Sequence, residues 1–310
     1  MTSLARAGVL VIDKAAGPTS FDVVATVRKA LGIRRVGHAG TLDPAAAGVL
    51  PVLVGQATKL MPYLADQDKE YVATVRLGVT TDTQDLSGRV VAERPVPAGL
   101  VRADVERAAA GFVGTIRQIP PMYSAVHHDG RRLYELAREG VEVERAAREV
   151  VVRAITVEDV SLPVLTLRIV CGKGTYVRTL AADLGEALGC GAAVGPLVRW
   201  RVGPFALRDA MPSDRLAAEP ADRLWARVRP PLAALADWPV TRLAAALGRA
   251  FTNGQTVPAT LDATVGEGRL VAVVDAGGEL TGVGQVTEDR RVRPMRILNA
   301  DRPGSRVLPA

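Results

Sequence analysis

Between Lys69 and Val79 the side chains alternate, with Tyr71, Ala73, Val75, Leu77 and Val79 on one side and Val72, Thr74 and Arg76 on the other. A period of two sends successive side chains to opposite faces, so this stretch is predicted to be a half-buried strand. It ends in Thr80-Thr81-Asp82-Thr83-Gln84-Asp85, which is turn chemistry. Gly8 to Ile12 has no polar position and reads as a fully buried strand. After a turn at Ala15 to Pro18, Thr19 or Ser20 caps a helix whose Phe21, Val24, Val27 and Leu31 share a face at spacings of three and four. Further helices are predicted over Val101 to Gly111 and from about Tyr176 to Leu188, and a strand over Val164 to Cys171.

Gln118-Ile119-Pro120-Pro121 breaks the pattern and opens a charged segment reaching Arg153. There Arg131, Arg132, Arg138, Arg145, Arg148 and Arg153 are interleaved with Glu135, Glu139, Glu142, Glu144 and Glu149, as expected of an exposed insertion. Prolines 212, 220, 230, 231 and 239 mark a domain boundary. Beyond it a short helix over Thr241 to Ala250 precedes strands Arg269 to Asp275 and Glu279 to Val286, joined across Ala276-Gly277-Gly278, and a third strand Val292 to Leu298.

At 310 residues the chain is long enough for two domains, and its 48% hydrophobic content fills a full core. The net charge of +6 suits a polyanionic partner and equally a solvated basic surface. Cys171 and Cys190 are too few for a disulfide framework, which points to the reducing cytoplasm. Three histidines and two cysteines lack zinc-ligand spacing, so no metal is expected. The apolar run Val9 to Ile12 is too short for a signal peptide core or a membrane span, so a soluble protein is expected.

The strongest chemical signal is Gly37-His38-Ala39-Gly40-Thr41-Leu42-Asp43-Pro44, continuing through Gly48-Val49-Leu50-Pro51 to Gly55. His38 and Asp43 share one glycine-rich loop, a pairing that suggests chemistry. Asp-Pro after Thr is also a standard helix start, with Asp as cap and Pro at the first helical position. Tyr71 fits core packing or the wall of a base pocket. Cys171-Gly172-Lys173-Gly174-Thr175-Tyr176-Val177-Arg178 offers backbone amides and a lysine suited to a phosphate, without the spacing of a P-loop. Arg178 has the reach to hold a carboxylate bidentately in its charged form.

Read together these segments resemble the TruB family of tRNA pseudouridine synthases. Asp13-Lys14, Gly17 and Thr19-Ser20 match its opening block, and Gly37 to Pro44 with Gly48-Val49-Leu50 its catalytic loop. Lys69-Glu70-Tyr71, Leu77-Gly78, Thr81-Asp82-Thr83, Asp85 and Gly88 follow; Gln118 to Pro121, Tyr123-Ser124-Ala125 and Leu133-Tyr134 resemble its thumb insertion. Cys171 to Arg178, Asp183-Leu184-Gly185, Leu197, Arg199, Gly203 and Phe205 complete the resemblance. Ala15 stands where the family has proline, Val198 where it has arginine, and Trp200 where it has a smaller residue.

The resemblance implies an α+β fold. A pseudouridine synthase catalytic domain at 1–235, with a mixed, mostly antiparallel sheet, flanking helices and a thumb at about 117–153, would precede a small, mostly β, PUA-like RNA-binding domain at 236–310. It makes Asp43 the nucleophile, Arg178 its partner and Tyr71 the residue against the uracil face. It also sets His38 in the gap left by a flipped uridine, and Tyr176 and Leu197 against the substrate. The substrate would be the T-loop uridine at position 55 of tRNA, converted by a monomer without cofactor or metal. Lys173, Arg199, Arg201 and the thumb, with Arg290, Arg291 and Arg293, would hold RNA phosphates. Two other classes use the same residues: an RNA-folding protein in which Asp43 is structural, and a phosphoaspartyl enzyme with Asp82 and Asp85 as magnesium ligands.

Overall fold

β1 (Gly8–Lys14) has no polar face because both its sides are covered. Leu10 and Ile12 enter one core cluster, Val9 and Val11 another. The computed structural model describes residues 6–298; the outer ends of the two expected domains, 1–5 and 299–310, lie outside the described residues. α1 (Ser20–Leu31) starts at a Thr19–Asp22 capping box and stops at Gly32, whose φ of 63° allows the left-handed turn. Its buried stripe is Ser20, Val23, Val24, Val27 and Leu31. Phe21, one step past Ser20, points roughly 100° away by helical geometry and is 66% exposed, contrary to the expected face.

β2 (Val36–His38) pairs antiparallel with β3 (Ala47–Val54). Gly55–Leu60 and α2 (Met61–Ala65) lead into β4 (Lys69–Leu77), where Ala73, Val75 and Leu77 are buried as the alternation requires. Gly78 (φ 83°) ends that strand, and Val79 opens β5 (Val79–Thr81), which pairs with β6 (Val90–Glu93). The expected turn therefore begins at Asp82, since Thr80 and Thr81 are strand.

α3 (Arg102–Ala110) and β7 (Gly114–Gln118) precede the insertion, which carries β8 (His127–His128), β9 (Arg131–Arg132) and α4 (Leu133–Arg138). The chain returns in β10 (Arg148–Ser161), whose Arg148 pairs with Gln118. Gln118 and Arg148 to Arg153 thus belong to the sheet, and only 119–147 projects. Val150 and Val152 are buried, so the interleaved charges at its end mark the outer face of a strand. β11 (Val164–Cys171), α5 (Val177–Ala187), β12 (Ala192–Val202), β13 (Phe205–Ala206), β14 (Met211–Pro212) and α6 (Ala221–Arg227) follow.

The last region holds β15 (Val240–Arg242), α7 (Ala245–Thr252), β16 (Val257–Pro258), β17 (Leu270–Val274), β18 (Leu280–Val286) and β19 (Arg291–Ile297). Thr241, expected in a helix, is a buried strand residue, because β15 pairs with β17.

The fold is α+β. Its main sheet runs β14-β1-β3-β12-β4-β11-β10-β7, with β2 on β3 and β13 on β12. Pairing is antiparallel except at β1–β14 and β3–β12. The parallel β3–β12 contact has only two rungs, Val198↔Ala47 and Arg199↔Gly48. The loop carrying Asp43 enters β3 at that junction. A five-stranded sheet, β15-β17-β18-β19-β16, covers the other side of the β1–β3 half. Its Ala272, Val274, Leu280 and Val283 share a core with Val9, Val11, Leu53 and Phe205.

Candidate active site

The loop 39–46 is fastened from below before it presents anything above. Ala39, Leu42 and Ala46 are buried. The Ser20 hydroxyl donates to the Leu42 carbonyl at 3.0 Å and accepts from its N–H at 2.9 Å. Asp43-Pro44-Ala45-Ala46 forms a turn closed by Ala46 N–H on Asp43 O at 3.1 Å. This turn leads straight into β3, so Asp43 does not cap a helix. Lys14, fully buried, donates Nζ to the carbonyls of Ala15, Pro18 and Pro44 at 2.9, 2.8 and 3.2 Å.

Arg199 completes the clasp. Its guanidinium donates to the carbonyls of Val49, Gly40 and Thr41 at 2.8, 3.0 and 3.2 Å. At 1% exposure it cannot reach RNA phosphates, which corrects the role expected for it. Arg201 pairs at 3.2 Å with Glu70, a carboxylate it shares with Arg168 at 2.7 Å. Gly48 (φ 105°) is required beside Arg199, since a Cβ there would lie 2.3 Å from the Arg199 carbonyl oxygen. Across the sheet Arg199 is in register with Gly48 on one side and Tyr71 on the other.

Among the described residues the buried charged side chains are all cations: Lys14, Lys69, Arg178 and Arg199. Such burial is tolerable only where every donor is met. Lys69 meets the carbonyls of Ala65 and Gln67, the latter at 2.6 Å. Burial, with the charge of Arg199 nearby, lowers Lys69 to about 8, and burial likewise lowers Lys14 to about 8. Burial and Arg199 also push His38 below its ordinary range, which keeps its imidazole neutral at pH 7.

Arg178 is the one cation of the four paired with a carboxylate. From the second position of α5 its Nε donates to Asp43 Oδ2 at 2.9 Å, and Asp85 Oδ2 lies at 4.0 Å. Nη1 and Nη2 donate to the carbonyls of Thr83 and Tyr123, both at 2.8 Å. The contact is therefore one-pronged, not the bidentate fork expected, because the other two nitrogens hold backbone. Arg178 is 5% exposed while Asp43 keeps 40%, so the carboxylate faces an opening from a fixed base.

Tyr71 and Tyr176 both sense the charge of Asp43, and burial raises both phenols above their ordinary range. Arg199 opposes that rise at Tyr71 through a hydrogen bond and its charge. Tyr176 is the residue immediately before α5. Leu197, 9% exposed, packs in the core cluster that also meets Tyr71. Lys173 lies apart, exposed and paired with Asp66 at 3.0 Å. Arg290, expected on phosphates, turns its guanidinium to the carbonyls of Leu261, Asp262 and Val265, whereas Arg293 is exposed and meets Gln285. Trp200 is 43% exposed with the Arg168 guanidinium 5.1 Å from its ring.

Asp85 is the site residue that the pattern hid. It sits in the turn after β5, largely buried, with Oδ1 accepting from Thr83 Oγ1 and the Ser87 N–H at 2.9 and 3.0 Å. In the sequence it belongs to a Thr/Asp-rich turn, to a block of the family resemblance and to the magnesium-ligand alternative, none of which sets it beside Arg178. Among the described residues no group of three or more His, Cys, Asp or Glu side chains is placed to hold a metal ion. Likewise no described helix is long and apolar enough to cross a membrane.

The mixed sheet that carries these residues has counterparts among solved structures. The chain is similar to one in a Cbf5-Nop10-Gar1 complex, with a TM-score of 0.74 and 28% identity over 94% of this chain and 85% of that one. A chain in an H/ACA RNP bound to a substrate RNA containing 2'-deoxyuridine gives 0.72 and 26%, with coverage of 94% and 85%. The class is that of the pseudouridylate synthases: residues 28–177 match the model of the TruB family pseudouridylate synthase N-terminal domain. Residues 178–231 match the tRNA pseudouridylate synthase B C-terminal domain, and 239–298 the C-terminal model of pseudouridine synthase II TruB. A tRNA pseudouridine synthase B of Burkholderia pseudomallei (strain 668) is 45% identical over 93% of this chain and 96% of its own length. Its counterpart in Pseudomonas aeruginosa (strain UCBPP-PA14) is 42% identical over 94% and 96%. The chain belongs to the TruB family.

Proposed function

We propose that this enzyme isomerises uridine to pseudouridine in the T-loop of tRNA, at position 55, with Asp43 as nucleophile. The observation that carries the reading is the 2.9 Å contact from buried Arg178 to a carboxylate that remains 40% exposed. A nucleophile needs an open face and a fixed orientation, and this pair supplies both. The reaction breaks the bond from uracil N1 to ribose C1′ and forms one from C5 to C1′. The C5 proton leaves and N1 gains one, so composition and oxidation state are unchanged.

Tyr71 holds the uracil face and remains a phenol at neutral pH, since its ionisation is pushed upward. Its hydroxyl is the candidate group for proton transfer. Tyr176 and Leu197 wall the pocket. A target inside a folded loop must be flipped out, at a cost of about a few kcal/mol, and neutral His38 fills the space it leaves. Lys173, the exposed thumb arginines and the region 236–310 contact the T-arm and the rest of the tRNA. Two buried, free cysteines suit the reducing cytoplasm, where we place the enzyme as a monomer.

The test is to map pseudouridine in an unmodified tRNA transcript after incubation with wild type and with Asp43→Asn, adding neither metal nor nucleotide. One new T-loop pseudouridine with wild type, and none with the variant, is expected. Conversion by Asp43→Asn at the wild-type rate would remove Asp43 from the chemistry.

A further inference from the structure

Gln118 is the last residue of β7, and the chain leaves the sheet directly after it as Ile119-Pro120-Pro121. Its carboxamide, 2% exposed, turns back under the active site. Nε2 donates to the Tyr176 carbonyl at 3.1 Å, and Oε1 accepts from the Tyr176 N–H at 2.9 Å. One side chain thereby imitates a strand rung, meeting both backbone groups of a residue that belongs to no strand. Tyr176 O also takes the N–H of Leu180 at 3.0 Å, so this peptide is where α5 begins. Five residues along the insertion, the Tyr123 carbonyl accepts from Arg178 Nη2 at 2.8 Å. The thumb is thus tied at its root to Tyr176 and at its first turn to Arg178.

On the reading of the site given above, we propose that Gln118 is a positioning residue: it sets the Tyr176 peptide, and through it both the ring that walls the base pocket and the first turn of α5 that aims Arg178 at Asp43. A carboxamide suits the task because it carries a neutral donor and acceptor side by side, as a peptide does. Gln118 touches neither base nor nucleophile, and its effect is on geometry. RNA held by the thumb and the carboxylate below are then joined through two short connections, so docking of the insertion and alignment of Arg178 are coupled.

Two variants test this with an unmodified tRNA. Gln118→Leu keeps the bulk and loses both hydrogen bonds. Its single-turnover rate at saturating protein is expected to fall about 10- to 100-fold, with tRNA Kd within about threefold of wild type. Gln118→Glu keeps the acceptor for the Tyr176 N–H but sets a carboxylate oxygen against the Tyr176 carbonyl. Protonation restores a donor there, so its rate relative to wild type is expected to rise as the pH falls toward about 5. Circular dichroism over the same pH range gives the folded fraction of Gln118→Glu, and the ratio is taken per folded protein, because a buried carboxylate also makes stability depend on pH. Gln118→Leu at the wild-type rate, rate and affinity reduced in equal proportion, or a Gln118→Glu ratio flat with pH would each overturn the proposal. A wild type that binds tRNA without converting it would overturn the functional reading beneath it, an outcome independent of position 118.

Discussion

The loop bearing Asp43 and the insertion 119–147 both lack regular structure over much of their length, yet they are held in opposite ways. The loop is fastened by side chains distant in sequence. Arg199 binds Gly40 and Thr41 across 159 and 158 positions, and Lys14 binds Pro44 across 30. All of these donors are buried and all the acceptors are backbone carbonyls. In the insertion the ion pairs are local, Arg131 with Glu139 and Arg145 with Glu142 three residues away; the first is exposed, and Arg145 is partly buried, donating also to the Pro120 carbonyl at 3.2 Å. Arg132 and Arg138 lie 5.9 and 5.4 Å from the Tyr134 ring. Only Leu133 and Leu136 give α4 an apolar footing. A group that attacks carbon must be placed in advance, because misplacement costs rate directly. A surface that tracks a phosphate backbone gains from adjustable cations in water. Backbone clasps and surface charges are the two physical answers.

The sharpest way to break the contrast is to release the clasp. Arg199→Leu leaves three carbonyls without a donor in a dry site, each costing about 1–3 kcal/mol. The melting temperature should drop on the order of 10 °C. Conversion at saturating enzyme should fall about 100-fold or more, because the Asp43 loop and Tyr71 lose a common support. Arg199→Lys, which keeps the charge but not the fork, should fall between the two. Thermal melts and single-turnover assays check both; a fully active, stable Arg199→Leu would show that the loop holds itself.

This clasp is also where sequence reasoning reaches its limit. The strands at Gly8, Lys69 and Val164 are legible because period and apolar runs are local properties. So are the cap of α1 at Thr19 or Ser20 and the hairpin of the last region. The sequence points Arg199 toward phosphates because arginines are usually exposed, and nothing nearby marks it as buried. Its position depends on the two-rung parallel junction of β3 and β12, a contact between segments some 150 residues apart that no local pattern encodes. Only family resemblance joins Arg178 to Asp43, since 135 positions separate them. Gln118 reads as the start of an insertion and Asp85 as turn chemistry, for the same reason. Phe21 fails differently: a spacing of three or four admits more than one stripe, and Val23 with Val24 selects the other.

A subtler test titrates two buried lysines without removing Arg199: Lys14, which binds the loop at Pro44, and Lys69, which senses the charge of Arg199. Folded Lys14 and Lys69 release their protons near 8, whereas unfolded lysines do so near about 10.4. Below the folded value both states are equally protonated at these sites. Between the two values the unfolded chain binds more protons, so these lysines make stability rise with pH across that window and level off above it. Cys171, which burial raises to about 11, acts in the opposite sense, so a difference measurement is needed. Denaturant unfolding of wild type and Lys14→Met/Lys69→Met at several pH values from about 7.5 to about 10.5, spanning that range, should give the wild type the more positive slope. Parallel slopes would mean that the two ammonium groups keep their charge in alkali and that the floor is rigid at any pH.

The smallest effect is expected where charge is exposed. Arg132→Ala/Arg138→Ala removes two cations that lie over Tyr134 and bind no buried carbonyl, so the melting temperature should not move measurably. Affinity for tRNA should weaken, and the log–log dependence of binding on salt should flatten by about 0.7–0.9 for each phosphate no longer neutralised. Once the protein is saturating, the single-turnover rate should match wild type, because the clasp beneath Asp43 is untouched. Titrations at three salt concentrations beside a saturated rate separate the two quantities. Should the saturated rate fall together with affinity, these cations would be aligning the site as well as gripping RNA. The division between a fixed floor and an adjustable insertion would then have to be drawn at α4, with the insertion's root at Gln118 and Tyr123 counted as part of the floor.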